Sequence, residues 1–369
     1  MTNIHIISFN IPYPPNYGGI IDVYYKIKAL HAKGVNVILH CFDYGRGKTP
    51  ELEKICKKVY YYKRATGIFK SLSKIPYIVN SRSNPELLEN LIKDNYPILF
   101  EGLHTTFFID TKELVDRLKI VRTHNIEHDY YNFLYKQEKN ILKKLYYKNA
   151  AKKLKNYESV LKYANYIAVI SHNDFKYISS KYKNVFWLPP FHPNSTVNIE
   201  LGTSNFALYH GNLSVAENIK AVKFLIDSFK NKKEINLFIA GKDPSKELYK
   251  LTKNISNIKI IANPSNKQML ELIKNAHIHL LPTFQPTGIK LKLISSLFNG
   301  RHVITNNEMV DNTGLETVCH IANTKAEFVE KTVKLFSMPF ENKDLIIRKE
   351  ILDKKFNNSR NIELLTSLY

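Results

Sequence analysis

The chain has 369 residues, more than one hydrophobic core usually organises, so two domains are expected. Apolar residues make up 44% of it and aromatic residues 12%, which excludes a disordered chain, and nowhere do about 18 apolar residues run together, which excludes a membrane-spanning helix. The formal charge of +21 favours phosphate-bearing partners, although Lys, Asn, Ile and Tyr are abundant everywhere, as an AT-rich genome would produce.

The N-terminal stretch Met1–Phe9 has no basic lead and too short an apolar run for a signal peptide, so it is read as a first strand. Short β-branched runs then alternate with amphipathic stretches: Ile4–Phe9, Val35–Cys41, Ile98–Glu101, Ile120–Arg122 and Tyr166–Ile170. A second series follows at Phe206–Tyr209, Ile235–Ala240, Ile258–Ile261, Ile278–Pro282 and His302–Thr305. Strands alternating with helices predict a parallel sheet covered by helices, here twice over. Between the series, Pro189, Pro190 and Pro193 deny the backbone both helix and central strand, which places a boundary there. The expected division is an N-terminal domain over 1–190, a C-terminal domain over 205–345, and a helical segment over 346–369 that packs back on the first.

From Tyr130 to Ala164, Leu134, Ile141, Leu142, Leu145, Leu154, Tyr157, Leu161 and Ala164 fall near helical spacing, and nine lysines occupy other positions. This predicts one amphipathic helix, with room for an interruption. Cys41, Cys56 and Cys319 are odd in number and scattered, which fits neither a disulfide framework nor a zinc site and implies a reducing cytoplasm.

Ligands of open α/β sheets bind at the carboxyl ends of the strands, so the residues there carry the chemistry. After the first strand, a Pro-rich loop ends in Gly18-Gly19 and a helix starts; bare backbone N–H groups and the helix N-terminus suit a diphosphate, a plain turn being the alternative. After Ile120–Arg122 comes the polar cluster Thr123-His124-Asn125-Ile126-Glu127-His128-Asp129. His124 suits a hydrogen bond to a sugar hydroxyl or a proton-carrying role, or it is a loop histidine satisfied by its neighbours. His124, Glu127 and His128 lack a strong metal-ligand spacing, and no metal is expected. The second series opens with the turn Gly211-Asn212-Leu213, and Thr287-Gly288-Ile289-Lys290-Leu291-Lys292 starts another helix. Lys290 and Lys292 point in nearly opposite directions on a helix, and Lys290, nearer its N-terminus, is the preferred phosphate ligand.

In these motifs and their order the chain resembles the family-4 group of retaining glycosyltransferases with the GT-B fold, over nearly its whole length. The resemblance implies two Rossmann-like doubly wound domains facing each other across a cleft. A nucleotide-sugar would sit mostly on the C-terminal domain, at Gly211, Asn212, Thr287, Gly288, Ile289, Lys290 and Ser295, with Gly18 and Gly19 matching the family's donor-phosphate loop. His124 matches its catalytic-site histidine, and Asn125 and Glu127 are assigned to the acceptor or sugar. Retention at the anomeric carbon without metal or other cofactor is implied, as is a surface-glycan or polyprenyl-linked acceptor; nucleic acid is not expected as a partner.

Two departures stand out. The carboxylate that many relatives place seven residues after the helix glycine, on the nucleotide ribose, is Ser295 here. The basic residues after the second-domain glycine are replaced by Asn212 and Glu217, so Lys290, Lys292 or Lys220 would carry the phosphate charge. These losses keep a second expectation in view, a catalytically weak or inactive protein that partners another transferase. The basic and aromatic stretch from Lys57 to Tyr77 and the lysine-rich helix after Tyr130 suit peripheral docking of a cytoplasmic protein on an anionic inner membrane face, solvated surfaces being the alternative.

Overall fold

A computed structural model describes residues 2–67, 70, 73–285 and 290–369. Contacts divide the chain into two compact units, 1–193 with 358–369, and 194–357. The first holds a seven-stranded sheet with the strands β1 (Asn3–Ser8), β2 (Asn36–Asp43), β3 (Lys58–Lys63), β4 (Ile98–Glu101), β5 (Lys119–Thr123), β6 (Tyr166–Val169) and β7 (Val185–Trp187). All its pairings are parallel and its order is 3-2-1-4-5-6-7, so the direction of winding reverses between β1 and β4. The second unit repeats this with β8 (Phe206–Asn212), β9 (Asn236–Lys242), β10 (Ile258–Ala262), β11 (Ile278–Leu281), β12 (His302–Thr305) and β13 (His320–Ile321), in the order 10-9-8-11-12-13. Its reversal lies between β8 and β11. At such reversals the neighbouring helices leave on opposite faces, which opens a crevice at the strands' carboxyl ends.

Seven helices bear on function: α1 (Gly18–Ala32), α2 (Glu127–Gln137), α3 (Ile141–Tyr157), α4 (Ala216–Phe229), α5 (Leu291–Asn299), α6 (Asn342–Lys355) and α7 (Asn358–Thr366). The expected long helix from Tyr130 to Ala164 is broken into α2, α3 and a 3-10 turn at Glu158–Tyr163. The break has a local cause: the Asn140 side chain accepts a hydrogen bond from the Lys143 N–H at 3.1 Å and starts α3 afresh. Only the distal part of the apolar stripe, Leu154 and Leu161, is buried. Ile141, Leu142 and Leu145 are 74%, 78% and 59% exposed, so the first turns of α3 display an apolar patch among lysines.

Part of the Lys57–Tyr77 stretch is claimed by the fold. Lys58–Lys63 forms the edge strand β3, where Tyr62 is buried and its hydroxyl is 2.8 Å from His40 Nδ1. His40 is in turn 2.8 Å from His5, forming a polar ladder across three strands. Ile68, Phe69, Ser71 and Leu72, of the same stretch, lie outside the described residues.

The segment expected over 346–369 divides. All of α6 belongs with the second unit, where its buried Arg348 binds the carbonyls of Gly300 and Arg301 at 2.7 and 2.6 Å. Only α7 and the residues after it return to the first unit, where Ile362 and Leu365 join the core beside Val23 and Ile27 of α1. The Asn358 side chain fixes that return, donating to the His192 carbonyl at 2.7 Å.

Candidate functional site

In the first unit the winding reversal is lined by charge. β4 is apolar until its last residue, Glu101, whose carboxylate is fully buried between two partners: Lys26 Nζ at 2.6 Å and His124 Nε2 at 3.0 Å. One turn before Lys26 on α1, Asp22 binds the same ammonium at 2.9 Å and the Arg122 guanidinium through two contacts of 3.2 and 3.1 Å. Arg122 then binds the carbonyls of Leu188 and Pro189, and the Phe191 N–H donates to Asp22 at 2.7 Å. The proline segment leaving the unit is thereby fastened to the same cluster.

Two carboxylates face two basic side chains in this cluster, and each is hydrogen-bonded, the condition for burying such groups. Burial alone would raise both acids, but Arg122, Lys26 and His124 hold Asp22 well below the usual carboxylate range, and Lys26 and His124 hold Glu101 below it. Because the ionised Glu101 only accepts, His124 donates through Nε2–H, and in the neutral imidazole Nδ1 is then the acceptor. The Phe9 ring packs edge-on against the imidazole at 5.4 Å. Gly19 completes the surround: a side chain there would meet Phe9 at 2.8 Å and reach within 3.8 Å of His124 Nδ1, whereas Gly18 faces open space. Asp22, Glu101 and His124 bring ligand atoms within 4.8 Å of one another, a spacing that a cation could use. Lys26 and Arg122 already supply the positive charge there.

Glu127 and His128, read beside His124 in the sequence, engage other partners. His128 is 3.2 Å from Glu158 and belongs to a network with Tyr177 on the far side of α2. Glu127 is buried, 3.8 Å from His104 Nδ1, and burial together with Asp174 pushes its carboxyl up to about 8 against the pull of Arg82. It is therefore largely protonated at neutral pH and can donate a hydrogen bond. His104 is held well below the ordinary imidazole value by burial, and its Nδ1 is buried without a hydrogen-bond partner among the described residues. Asn125 follows His124 in the loop, half-buried.

In the second unit, Gly211 and Asn212 end β8 at the corresponding reversal. A side chain on neighbouring Gly241 would fall 1.8 Å from the Gly211 carbonyl, so the glycine of β9 permits the close strand approach here. The Asn212 side chain is committed to the turn, accepting from the Ser214 N–H at 3.0 Å and hydroxyl at 2.7 Å. Lys292 enters beneath the turn: its ammonium donates to Asn218 Oδ1 at 2.7 Å and to the Tyr209 hydroxyl at 3.1 Å. Burial and then Lys290 push it down to about 8, against the attraction of Glu217. Lys290, the residue before α5, donates to the Gln285 carbonyl at 3.2 Å. The two lysines thus diverge, with Lys292 joined to the glycine turn. Ser295 lies half-buried on α5. Lys220 is stacked over Phe284 at 4.8 Å. Thr287, Gly288 and Ile289 lie outside the described residues.

Sequence reading missed Asp22, Lys26, Glu101 and Arg122. Signals were present: an Asp and a Lys four apart just inside a helix, a Glu closing an apolar strand, and an Arg inside a buried one. None of these says which charges meet.

Residues 204–338 match the family model of glycosyl transferases group 1. A Klebsiella pneumoniae protein described as an uncharacterized 44.6 kDa protein in the cps region is 27% identical over 340 residues, 85% of each chain. Sucrose-phosphate synthase from Thermosynechococcus elongatus superposes with a TM-score of 0.74 at 14% identity, covering 100% of this chain and 98% of that one. HepE from Anabaena, in complex with UDP and glucose, gives 0.68 at 11% identity, covering 100% and 99%. A TarM variant from S. aureus, in complex with Fondaparinux, alpha-GlcNAc-glycerol and UDP, gives 0.67 at 11% identity, covering 100% and 99%. The fold is therefore GT-B, two parallel-sheet α/β domains.

Proposed function

We propose that the chain is a glycosyltransferase that moves a sugar from a nucleotide-sugar to a surface-glycan or lipid-linked acceptor, with retention at the anomeric carbon. The observation that carries this is His124, set at a winding reversal with Nε2 fixed by Glu101 and Nδ1 directed toward Gly19. Such a nitrogen accepts a hydrogen bond from a sugar hydroxyl, and a prepaid orientation costs nothing when the sugar arrives. Glu127 and Asn125 belong to the acceptor side in this reading. The donor is held by the second unit, whose family match supports the assignment. There Gly211, Ser295 and the helix start at Lys290 face the nucleotide, and Lys292 stands in for the basic residue replaced by Asn212. Charge on the departing diphosphate is met by backbone N–H groups and lysines, so no metal is assigned to the step. The cps-region relative favours capsule-type polysaccharide as the product.

The test is nucleotide release from a panel of UDP- and GDP-sugars, UDP-glucose first, since HepE also has a structure in complex with it. Release from one donor is expected. Silence with all of them, together with no nucleotide binding by calorimetry, would favour the inactive-partner reading, for which Ser295 and the committed Asn212 would be the reason.

Peripheral docking at the inner membrane face belongs to the same proposal, now resting on α3. Ile141, Leu142 and Leu145 protrude beside Lys143, Lys144 and Lys148, an apolar strip in a basic surround. Co-sedimentation with vesicles containing phosphatidylglycerol should exceed that with neutral vesicles and fall severalfold in Leu142→Asp. Equal sedimentation with both lipids would refute docking.

A further inference from the structure

Around the His124 site stand three arginines, Arg46, Arg64 and Arg82, for which no carboxylate comes within 4.0 Å among the described residues. Each is oriented by neutral oxygens instead. Arg82, buried, donates through Nε and Nη2 to the Phe9 carbonyl at 2.9 and 2.8 Å and through Nη1 to that of Ile78. Arg64 donates through Nε and Nη2 to the Ser81 hydroxyl at 3.2 and 2.7 Å. Arg46 binds the Pro14 carbonyl at 2.7 Å and the Asn16 side chain. These oxygens fix where the guanidinium groups point but leave their charge unneutralised, which is costly for the buried Arg82 and which an anionic ligand would relieve.

Tyrosines knit the cations together. Tyr17 lies under Arg46 at 5.3 Å, and Tyr44 and Tyr77 lie under Arg64 at 4.5 and 5.8 Å. Arg46 and Arg82 are both within electrostatic reach of the Tyr17 hydroxyl. The Phe9 whose carbonyl holds Arg82 is the residue whose ring packs on His124, so the collar adjoins the site directly. Among acids, Glu127 also faces Arg82, and it is largely protonated at neutral pH. On the other side, Tyr146 of α3 is within electrostatic reach of Arg64, Tyr44 and Tyr77. The exposed Ile141, Leu142 and Leu145 are its close neighbours on that helix.

We infer that the acceptor is a lipid-linked saccharide whose phosphate groups rest on Arg64 and Arg82, with its hydrocarbon chain along the apolar start of α3 and its sugar toward His124. This rests on the transferase reading and adds the acceptor's chemistry to it: an anion flanked by a sugar on one side and an apolar chain on the other. Arg forks bind phosphate oxygens in pairs, and tyrosines present apolar faces to the chain and hydroxyls to the sugar.

Calorimetry with farnesyl diphosphate, farnesol and inorganic pyrophosphate on the full chain tests it without any donor. Farnesyl diphosphate should bind at least about tenfold more tightly than either other probe. Arg64→Gln should weaken its binding about tenfold or more, and Arg64→Lys, which keeps charge but loses the fork, by less. Leu142→Asp should also weaken it while leaving pyrophosphate binding as in the wild type. Thermal melts matching the wild type exclude unfolding as the cause, and if Arg64→Gln fails to fold, the comparison of the three probes on the wild-type chain decides. Equal affinity of wild type and a folded Arg64→Gln, or pyrophosphate binding as tightly as farnesyl diphosphate, would overturn the inference. A silent donor panel beside the expected farnesyl diphosphate pattern would instead count against the transferase reading.

Discussion

Replacing His124 by alanine is expected to lower nucleotide-sugar turnover by about 10²–10⁴-fold, the range for a positioned hydrogen-bonding or proton-carrying side chain. The fold should survive, because the change removes one 3.0 Å hydrogen bond from Glu101 while Lys26 still holds that carboxylate at 2.6 Å. Single-donor kinetics and a thermal melt on the same preparation check both halves. His124→Gln, whose amide N–H can still reach Glu101, should melt with the wild type yet fail to restore turnover if the imidazole nitrogen is what the sugar needs. Turnover within about twofold of wild type in His124→Ala would remove this residue from the site.

The largest stability effect should come from Asp22→Asn. That change leaves Arg122 buried with its carbonyl contacts but without a carboxylate, and breaking a buried pair in this way costs about 3–5 kcal/mol. At about 2–4 °C per kcal/mol for units of this size, the melting temperature should fall by roughly 10 °C. Since the Pro189–Phe191 segment hangs on the same two residues, the variant should also be cleaved there more readily by protease. The pH dependence has a definite sign. Asp22 and Glu101 are depressed in the folded state, so their contribution is complete above the unfolded carboxyl range near pH 4 and is lost as pH falls toward their lower folded values. Melts between pH 7 and pH 3 should therefore show a plateau and then an acid loss that is smaller in Asp22→Asn. A wild-type stability that does not fall on the acid side would contradict this account of the cluster.

The two donor-side lysines show where local reading stops. Lys290 and Lys292 reach different partners, Gln285 for one and Tyr209 with Asn218 for the other, but Lys290 stands before α5 in extended backbone, so helical spacing is not the reason. Spacing favoured Lys290 for its place near the helix start. It had no means of weighing a hydroxyl from β8 and an amide from α4, which draw Lys292 under the glycine turn. The stretch around Tyr60 and Tyr62 gives the opposite lesson. Basic residues interleaved with tyrosines read equally well as a surface film or as a strand, and the choice went to the strand because His40 on the adjacent β2 offers those rings a partner.

What the sequence by itself determined is what short-range pattern can encode. Alternating β-branched and amphipathic runs specify parallel strands and helices, prolines mark the passage from one unit to the next, and the strand ends bearing Gly18-Gly19, His124 and Gly211 are where such a sheet is expected to take a ligand. Tertiary structure alone decided that Asp22 and Lys26 of α1, Glu101 of β4, and Arg122 and His124 at β5 form one buried network, and that Arg64 and Arg82, with no carboxylate within 4.0 Å among the described residues, stand near it. The reason is physical. Hydrophobic periodicity is set between residues a few positions apart, whereas attraction between charges depends on distance and local dielectric. It was the parallel crossovers, laying β4 beside β1 and β5 beside β4, that brought residues up to a hundred positions apart to within about 3 Å in a dry interior.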